Sequence, residues 1–135
     1  MVEYIEPNEL RALLRDENGA LSDKVTIVDV RDLDYNEGGH IPGALNWPSE
    51  TWEIESCVDE YLAAYLSSSN TSQIIVFHCM KSQYRGPSCA KIAAERLLAA
   101  EGTTTPKVRV LRGGFLAWQR LYEGTEDIES RDQDI

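Results

Sequence analysis

Residues 73–88, Gln73-Ile74-Ile75-Val76-Phe77-His78-Cys79-Met80-Lys81-Ser82-Gln83-Tyr84-Arg85-Gly86-Pro87-Ser88, decide the fold. Ile74 to Phe77 is a short apolar run rich in β-branched residues, the pattern of a strand buried on both faces. Gly86-Pro87 and the alanine- and leucine-rich segment behind them read as a helix to about Ala100. Proline is tolerated in a first helical turn, where the N–H groups have no intrahelical partner. Cys79 and Arg85 stand between strand and helix, five residues apart.

A strand that turns directly into a helix aims unpaired backbone N–H groups at one spot, and the helix dipole adds partial positive charge there. An anion suits such a loop. Arg85 adds a planar fork matched to a phosphate-like oxyanion. The same field favours thiolate over thiol and makes Cys79 a nucleophile. Met80, Lys81, Ser82, Gln83 and Tyr84 would surround the substrate, with Ser82 able to donate a hydrogen bond to the sulfur. The bland alternatives are an inert buried cysteine and a surface arginine. They are weaker because strand, loop, arginine and helix start coincide. His78 reads as a packed residue at the strand end rather than as a base.

His78-Cys79-x-x-Ser82-x-x-Arg85-Gly86-Pro87 resembles the signature of the rhodanese-fold phosphatases. These are the cell-division-cycle dual-specificity phosphatases and their single-domain relatives, which include the eukaryotic arsenate reductases. Two more segments agree. Val28-Asp29-Val30-Arg31, followed by Glu37-Gly38-Gly39-His40-Ile41-Pro42-Gly43-Ala44, resembles the first rhodanese hallmark. Leu111-Arg112-Gly113-Gly114-Phe115-x-x-Trp118 resembles the last. The resemblance implies an α/β, rhodanese-like fold: a mostly parallel sheet of about five strands with helices on both faces. It also implies a cysteine-dependent phosphatase of the protein-tyrosine or dual-specificity type, acting on phosphomonoesters through a phosphocysteine. Glutathione-dependent arsenate reduction is the alternative, with glutathione as co-substrate and glutaredoxin as partner. Thiosulfate sulfur transfer and a non-catalytic anion-binding module follow at a distance. Sulfurtransferases of this fold have a loop one residue shorter. The chain departs from the cell-cycle phosphatases at Met80 and Tyr84, where those carry glutamates. The loop therefore supplies no carboxylate acid.

The other elements fit an alternating pattern of strands and helices, which favours a parallel sheet. A first strand ends at Ile5, and a helix runs from Pro7 to about Arg15, closed by Asn18-Gly19. Val25 to Val30 is a second strand and 44–46 a short third. Ser49, as a cap, would open a helix to Leu66 containing Cys57. Lys107 to Leu111 is the last strand, followed by a short helix with Phe115, Trp118 and Leu121 packed inward. Asp29 and Arg31 read as a structural ion pair, and His40 as a histidine bonding to backbone. Asp32 and Asp34 are candidates for the general acid that ester cleavage requires. Cys89, one helical turn past Arg85, is a candidate resolving thiol, although a small core residue is the simpler reading. Arg112 reads equally as a residue at the site's edge or as a surface charge.

The chain of 135 residues suits one domain, 1–122, followed by an acidic tail, 123–135, expected to be solvated. The formal net charge of −10 disfavours nucleic acid and anionic membranes as partners. The N-terminus lacks a signal peptide's pattern and no apolar run is long enough to span a bilayer. The three cysteines have no metal-ligand spacing, so neither a metal nor a cofactor is expected. Reduced thiols point to a cytoplasmic or nuclear location. The expected substrate is a phosphorylated protein or a small oxyanion.

If Cys79 is the nucleophile, Cys79→Ser abolishes turnover while its circular dichroism and melting curve match the parent's. A variant that keeps most of its activity on every substrate class would remove Cys79 from the chemistry.

Overall fold

The computed structural model describes residues 3–53, 58–60, 73–99 and 106–129. Its elements in chain order are β1 (Glu3–Ile5), α1 (Pro7–Leu14), β2 (Val25–Asp29), β3 (Leu45–Asn46), β4 (Ile74–His78), α2 (Arg85–Ala99), β5 (Lys107–Leu111) and α3 (Gly114–Tyr122). Two 3-10 helices, Leu33–Asn36 and Ser49–Glu53, lie in the connections. The strands form one five-stranded sheet in the order β1-β5-β4-β2-β3, every pair parallel. This is the α/β architecture the sequence leads one to expect.

Each strand feeds two cores, because successive side chains point to opposite faces. Val28 and Val30 beside Ile75 and Phe77 meet Cys89, Ala93 and Leu97 of α2 on one face. Val25, Ile27 and Val76 meet Leu10 and Leu14 of α1 with Phe115 and Trp118 of α3 on the other. The central strand β4 is covered on both sides, which is why its sequence is continuously apolar rather than alternating. Trp52 packs edge-on against Phe77, with ring centroids 5.2 Å apart.

Several expectations need correction. Helix α1 ends at Leu14, and Asn18-Gly19 does not cap it. Asp16 accepts from the N–H groups of Asn18 and Ala20, making a separate turn with Gly19 at φ +83°. Ser49 does not cap its helix either: its hydroxyl donates to Asp32 at 2.6 Å, and Asp32 also accepts the Glu50 N–H. Leu121 is 60% exposed rather than packed inward. Arg112 bonds Glu6 and covers Tyr4, so it serves the β1 edge and not the loop. Most of the helix expected to reach Leu66, with Cys57, lies outside the described residues, as do 130–135. Residues 58–60 are helical.

The acidic end also differs from expectation. Residues 123–129 form a strap across α1 and the loop after β2. Asp127 accepts from Arg11 at 2.8 Å and Arg15 at 3.3 Å, and its carbonyl accepts the Trp118 indole N–H. Glu129 and His40 exchange backbone hydrogen bonds of 2.8 and 2.7 Å. Gly39 permits that approach, since a Cβ there would stand 2.2 Å from the Glu129 carbonyl oxygen.

Arg31 fixes the loop between β2 and β3. Its side chain is fully buried and doubly bonded to Asp29, with the shortest contact 2.7 Å. It donates further to the carbonyls of Glu37 and Gly39 and lies 4.3 Å from the Phe115 ring centroid. Removing one partner of such a pair strands a charge in the interior, at a cost of about 3–5 kcal/mol. Arg31→Met therefore lowers unfolding free energy in urea by that amount. A loss under about 1 kcal/mol would mean that Asp29 finds water or another partner.

Candidate active site

Parallel pairing of β2 with β4, Asp29 opposite His78, brings the segments that follow them side by side at one sheet edge. Ligands of open α/β sheets bind at such carboxyl edges. The loop 79–84 therefore faces the 3-10 helix Leu33–Asn36.

The loop is held from behind. The N–H groups of Phe115 and Leu116, at the start of α3, donate to the carbonyls of Cys79 and Met80 at 2.9 and 2.8 Å. With two carbonyls drawn off, the loop's N–H groups turn the other way. Gly114, at φ +63°, allows this approach: a Cβ would lie 2.5 Å from the Met80 oxygen. Cys79 Sγ accepts the backbone N–H of Ser82 at 3.1 Å and of Gly86, in the first turn of α2, at 3.3 Å. Two such donors at a helix N-terminus stabilise negative charge on the sulfur.

A cleft of about 350 Å³ opens over the sulfur, lined by Cys79, Met80, Lys81, Gln83, Tyr84 and Arg85 with Asp34. Tyr84, 79% exposed, stands at its mouth. Ser82, expected to face the substrate, does not line the cleft. It is turned inward with φ +55°, 5% exposed, and its hydroxyl has no hydrogen-bond partner among the described residues. Its backbone N–H, not its side chain, serves the sulfur.

Arg85 does not point at open space. Its two terminal nitrogens take the two oxygens of Asp34, each at 2.8 Å, and one also meets Asp32 at 3.3 Å. The guanidinium holds the Asp34 carboxyl below the usual carboxylate range, against a smaller opposing effect of burial. Asp34 in turn raises Arg85 above its ordinary value. At neutral pH the resting site is thus a carboxylate-guanidinium pair beside a cysteine. The sequence singled out both aspartates but not their pairing with Arg85. Strand order alone brings residues 32–34 to residue 85, and spacing along the chain carries no trace of it.

His78 is fully buried. Nδ1 donates to the Cys79 carbonyl at 3.0 Å, and Nε2 lies 3.8 Å from Asp29. Burial pushes its imidazole below the ordinary value, with Asp29 opposing. It is a neutral prop beneath the loop, away from the cleft. His40 bonds the Ile41 carbonyl and stacks on Tyr35. Cys89 is buried in the core cluster that also contains Cys79 and borders a smaller cleft of about 150 Å³ on the other side of Tyr84 and Arg85. It does not line the cleft over Cys79. Among the described residues no cluster of His, Cys, Asp or Glu is placed to hold a metal ion, and no helix is long and apolar enough to cross a membrane.

Comparison with known proteins agrees with this geometry. A rhodanese-like domain model matches residues 6–121. The dual specificity phosphatase ibp1 of Schizosaccharomyces pombe is 30% identical, over 93% of this chain and 94% of its own length. Arsenate reductase 2.2 of Oryza sativa is likewise 30% identical, over 87% of this chain and 82% of its own length. A yeast protein tyrosine phosphatase of the rhodanese family superposes with a TM-score of 0.76 at 30% identity, covering 94% of this chain and 90% of that one.

The unpartnered Ser82 hydroxyl makes a stability test specific. Ser82→Ala deletes a buried donor that has no acceptor, so chemical denaturation should give a value within about 1 kcal/mol of the parent, or slightly higher. A loss beyond about 2 kcal/mol would reveal a buried hydrogen bond to that hydroxyl.

Proposed function

The chain belongs to the rhodanese-like domain family, and from that premise we propose that it is a cysteine-dependent phosphatase acting on phosphomonoesters. The observation that carries the reading is Cys79 Sγ, held by two backbone N–H groups under a cleft that Arg85 borders. In this mechanism the Cys79 thiolate attacks phosphorus and forms a phosphocysteine, which water then hydrolyses. Arg85 and the loop amides stabilise the equatorial oxygens as charge develops on them. The substrate is a phosphorylated protein or a smaller phosphomonoester. Tyr84 at the mouth offers an aromatic face to an aryl leaving group.

Arsenate reduction is the second reading, favoured by the rice relative's name. It needs a thiol to accept oxidation, and Cys89 borders a different cleft from Cys79. Glutathione, with glutaredoxin, would then have to supply that thiol. The Asp34 carboxylate in the cleft with Cys79 favours ester cleavage, which needs a proton donor that arsenate reduction does not. The loop supports neither sulfur transfer nor a merely binding role as well: it has five residues between Cys79 and Arg85, and a sulfur already solvated by amides.

One preparation assayed against an aryl phosphate, arsenate with glutathione, and thiosulfate with cyanide separates these readings. Phosphate hydrolysis should dominate; fast arsenate reduction with negligible hydrolysis would reverse the choice. Arg85→Lys should reduce kcat/KM for the aryl phosphate on the order of a hundredfold, since an ammonium cannot grip two oxygens of one oxyanion. A change below about threefold would mean that Arg85 never leaves the aspartates for the substrate.

A further inference from the structure

Arg85 cannot grip a carboxylate and a phosphoryl group with the same fork. Its two terminal nitrogens are taken by Asp34, so an oxyanion entering the cleft has to displace that carboxylate. The two aspartates are not equivalent in this exchange. Asp32 is pinned independently by the Ser49 hydroxyl and the Glu50 N–H, and it touches Arg85 only at 3.3 Å. Once the guanidinium leaves, Asp34 keeps backbone N–H groups, its own and that of Asp32 at 3.1 Å, but no side-chain donor among the described residues. It is also the carboxylate that lines the cleft with Cys79.

We propose that Asp34 is the catalytic acid of this site and that the substrate itself switches it on. The oxyanion draws Arg85 off Asp34, and the freed carboxyl takes up the proton it delivers to the leaving oxygen. This inference rests on the phosphatase reading above.

The groups facing Asp34 set the direction of its titration. With Arg85 paired, Asp34 is an anion at neutral pH. With Arg85 on the substrate, Asp34 faces the phosphoryl dianion, Cys79 and Asp32, all of which favour its neutral form. Lys81, exposed on the loop, opposes them and is screened by water. In the first step the S–P bond forms as the P–O ester bond breaks. The electron pair goes to the leaving oxygen and the Asp34 proton follows it. In the second step water attacks phosphorus and the S–P bond breaks, returning its electrons to Cys79 as thiolate. The Asp34 carboxylate takes the proton from water. The sum is ester plus water giving alcohol plus phosphate.

The test compares parent, Asp34→Asn and Asp32→Asn on aryl phosphates of graded leaving-group basicity, with tungstate binding measured beside them. For a dinitrophenyl ester, whose leaving group needs no proton, Asp34→Asn should keep kcat/KM, which reports the first step alone, within about threefold of the parent. For phenyl phosphate it should lose on the order of a hundredfold, the lower range for a missing general acid. Tungstate should bind Asp34→Asn more tightly, because Arg85 starts free. A uniform change across all esters would make Asp34 a lock on Arg85 without a proton role and would overturn the proposal. So would a leaving-group dependence that appears in Asp32→Asn instead. A parent that binds tungstate but hydrolyses no ester would sink the phosphatase reading itself, a failure distinct from a flat response in an active enzyme.

Discussion

Burying a guanidinium obliges the chain to bring acceptors to it, and Arg31 is where that obligation organises this fold. Its fork closes on Asp29, and its remaining donors reach the carbonyls of Glu37 and Gly39. Those contacts set the course of residues 32–40, which no sheet or long helix supports. Asn46 ties the same corner, donating to the carbonyls of Asp29 and Arg31. Phe115 lies under the cation, so the corner is also fastened to α3. Asp34 and Asp32 stand where they do because Arg31 holds the loop that bears them. A pair of this kind adds little net stability by itself, since desolvation offsets most of the attraction. Here it serves to specify one conformation of an otherwise irregular loop.

The cysteine loop is supported by a different device. Helix α3 offers its first N–H groups to the carbonyls of Cys79 and Met80, and α2 offers its own to the sulfur. Two helix starts thus act on one short loop from opposite sides. The first orients the peptides and the second donates to the sulfur. His78 fills the space beneath as a neutral ring. Cys79, His78 and Ser82 are buried, while Arg85 and Tyr84 reach the solvent side of the cleft.

Much of this was legible in the residues. The apolar runs at 25–30 and 74–77, separated by helical patterns, give a parallel sheet, and Cys79 and Arg85 mark the loop between β4 and α2. Sequence reasoning erred where a local signal competed with a distant partner. Asn18-Gly19 has turn chemistry, but the helix before it ends earlier because Asp16 captures the next N–H groups. Leu121 falls at a helical spacing from Trp118, yet that side of α3 faces water. Ser82 carries a hydroxyl of the right chemistry, and its positive φ turns it inward. The acidic end looked solvated because six of its thirteen residues are acids. One of them, Asp127, is met by two arginines from α1. The Arg85–Asp34 pair was hidden for the same reason, since strand order alone makes the two residues neighbours.

The strap and the edge strand together have a consequence for how the chain is made. β1 pairs with β5, and the strap residue Glu129 forms an isolated antiparallel bridge with His40. Segments synthesised first thus wait for partners synthesised last. A nascent chain still on the ribosome, with residues up to about 100 outside the tunnel, has β2 and β4 to pair but no partner for β1. It has no cover for the face that Trp118 and Phe115 will bury. Such a chain carries exposed apolar surface and an unpaired strand until residues 107–129 emerge, and non-local closure of this sort is slow. The fold is therefore expected to close only once residues 107–129 are available to it. The strap 123–129 is the clasp of that closure.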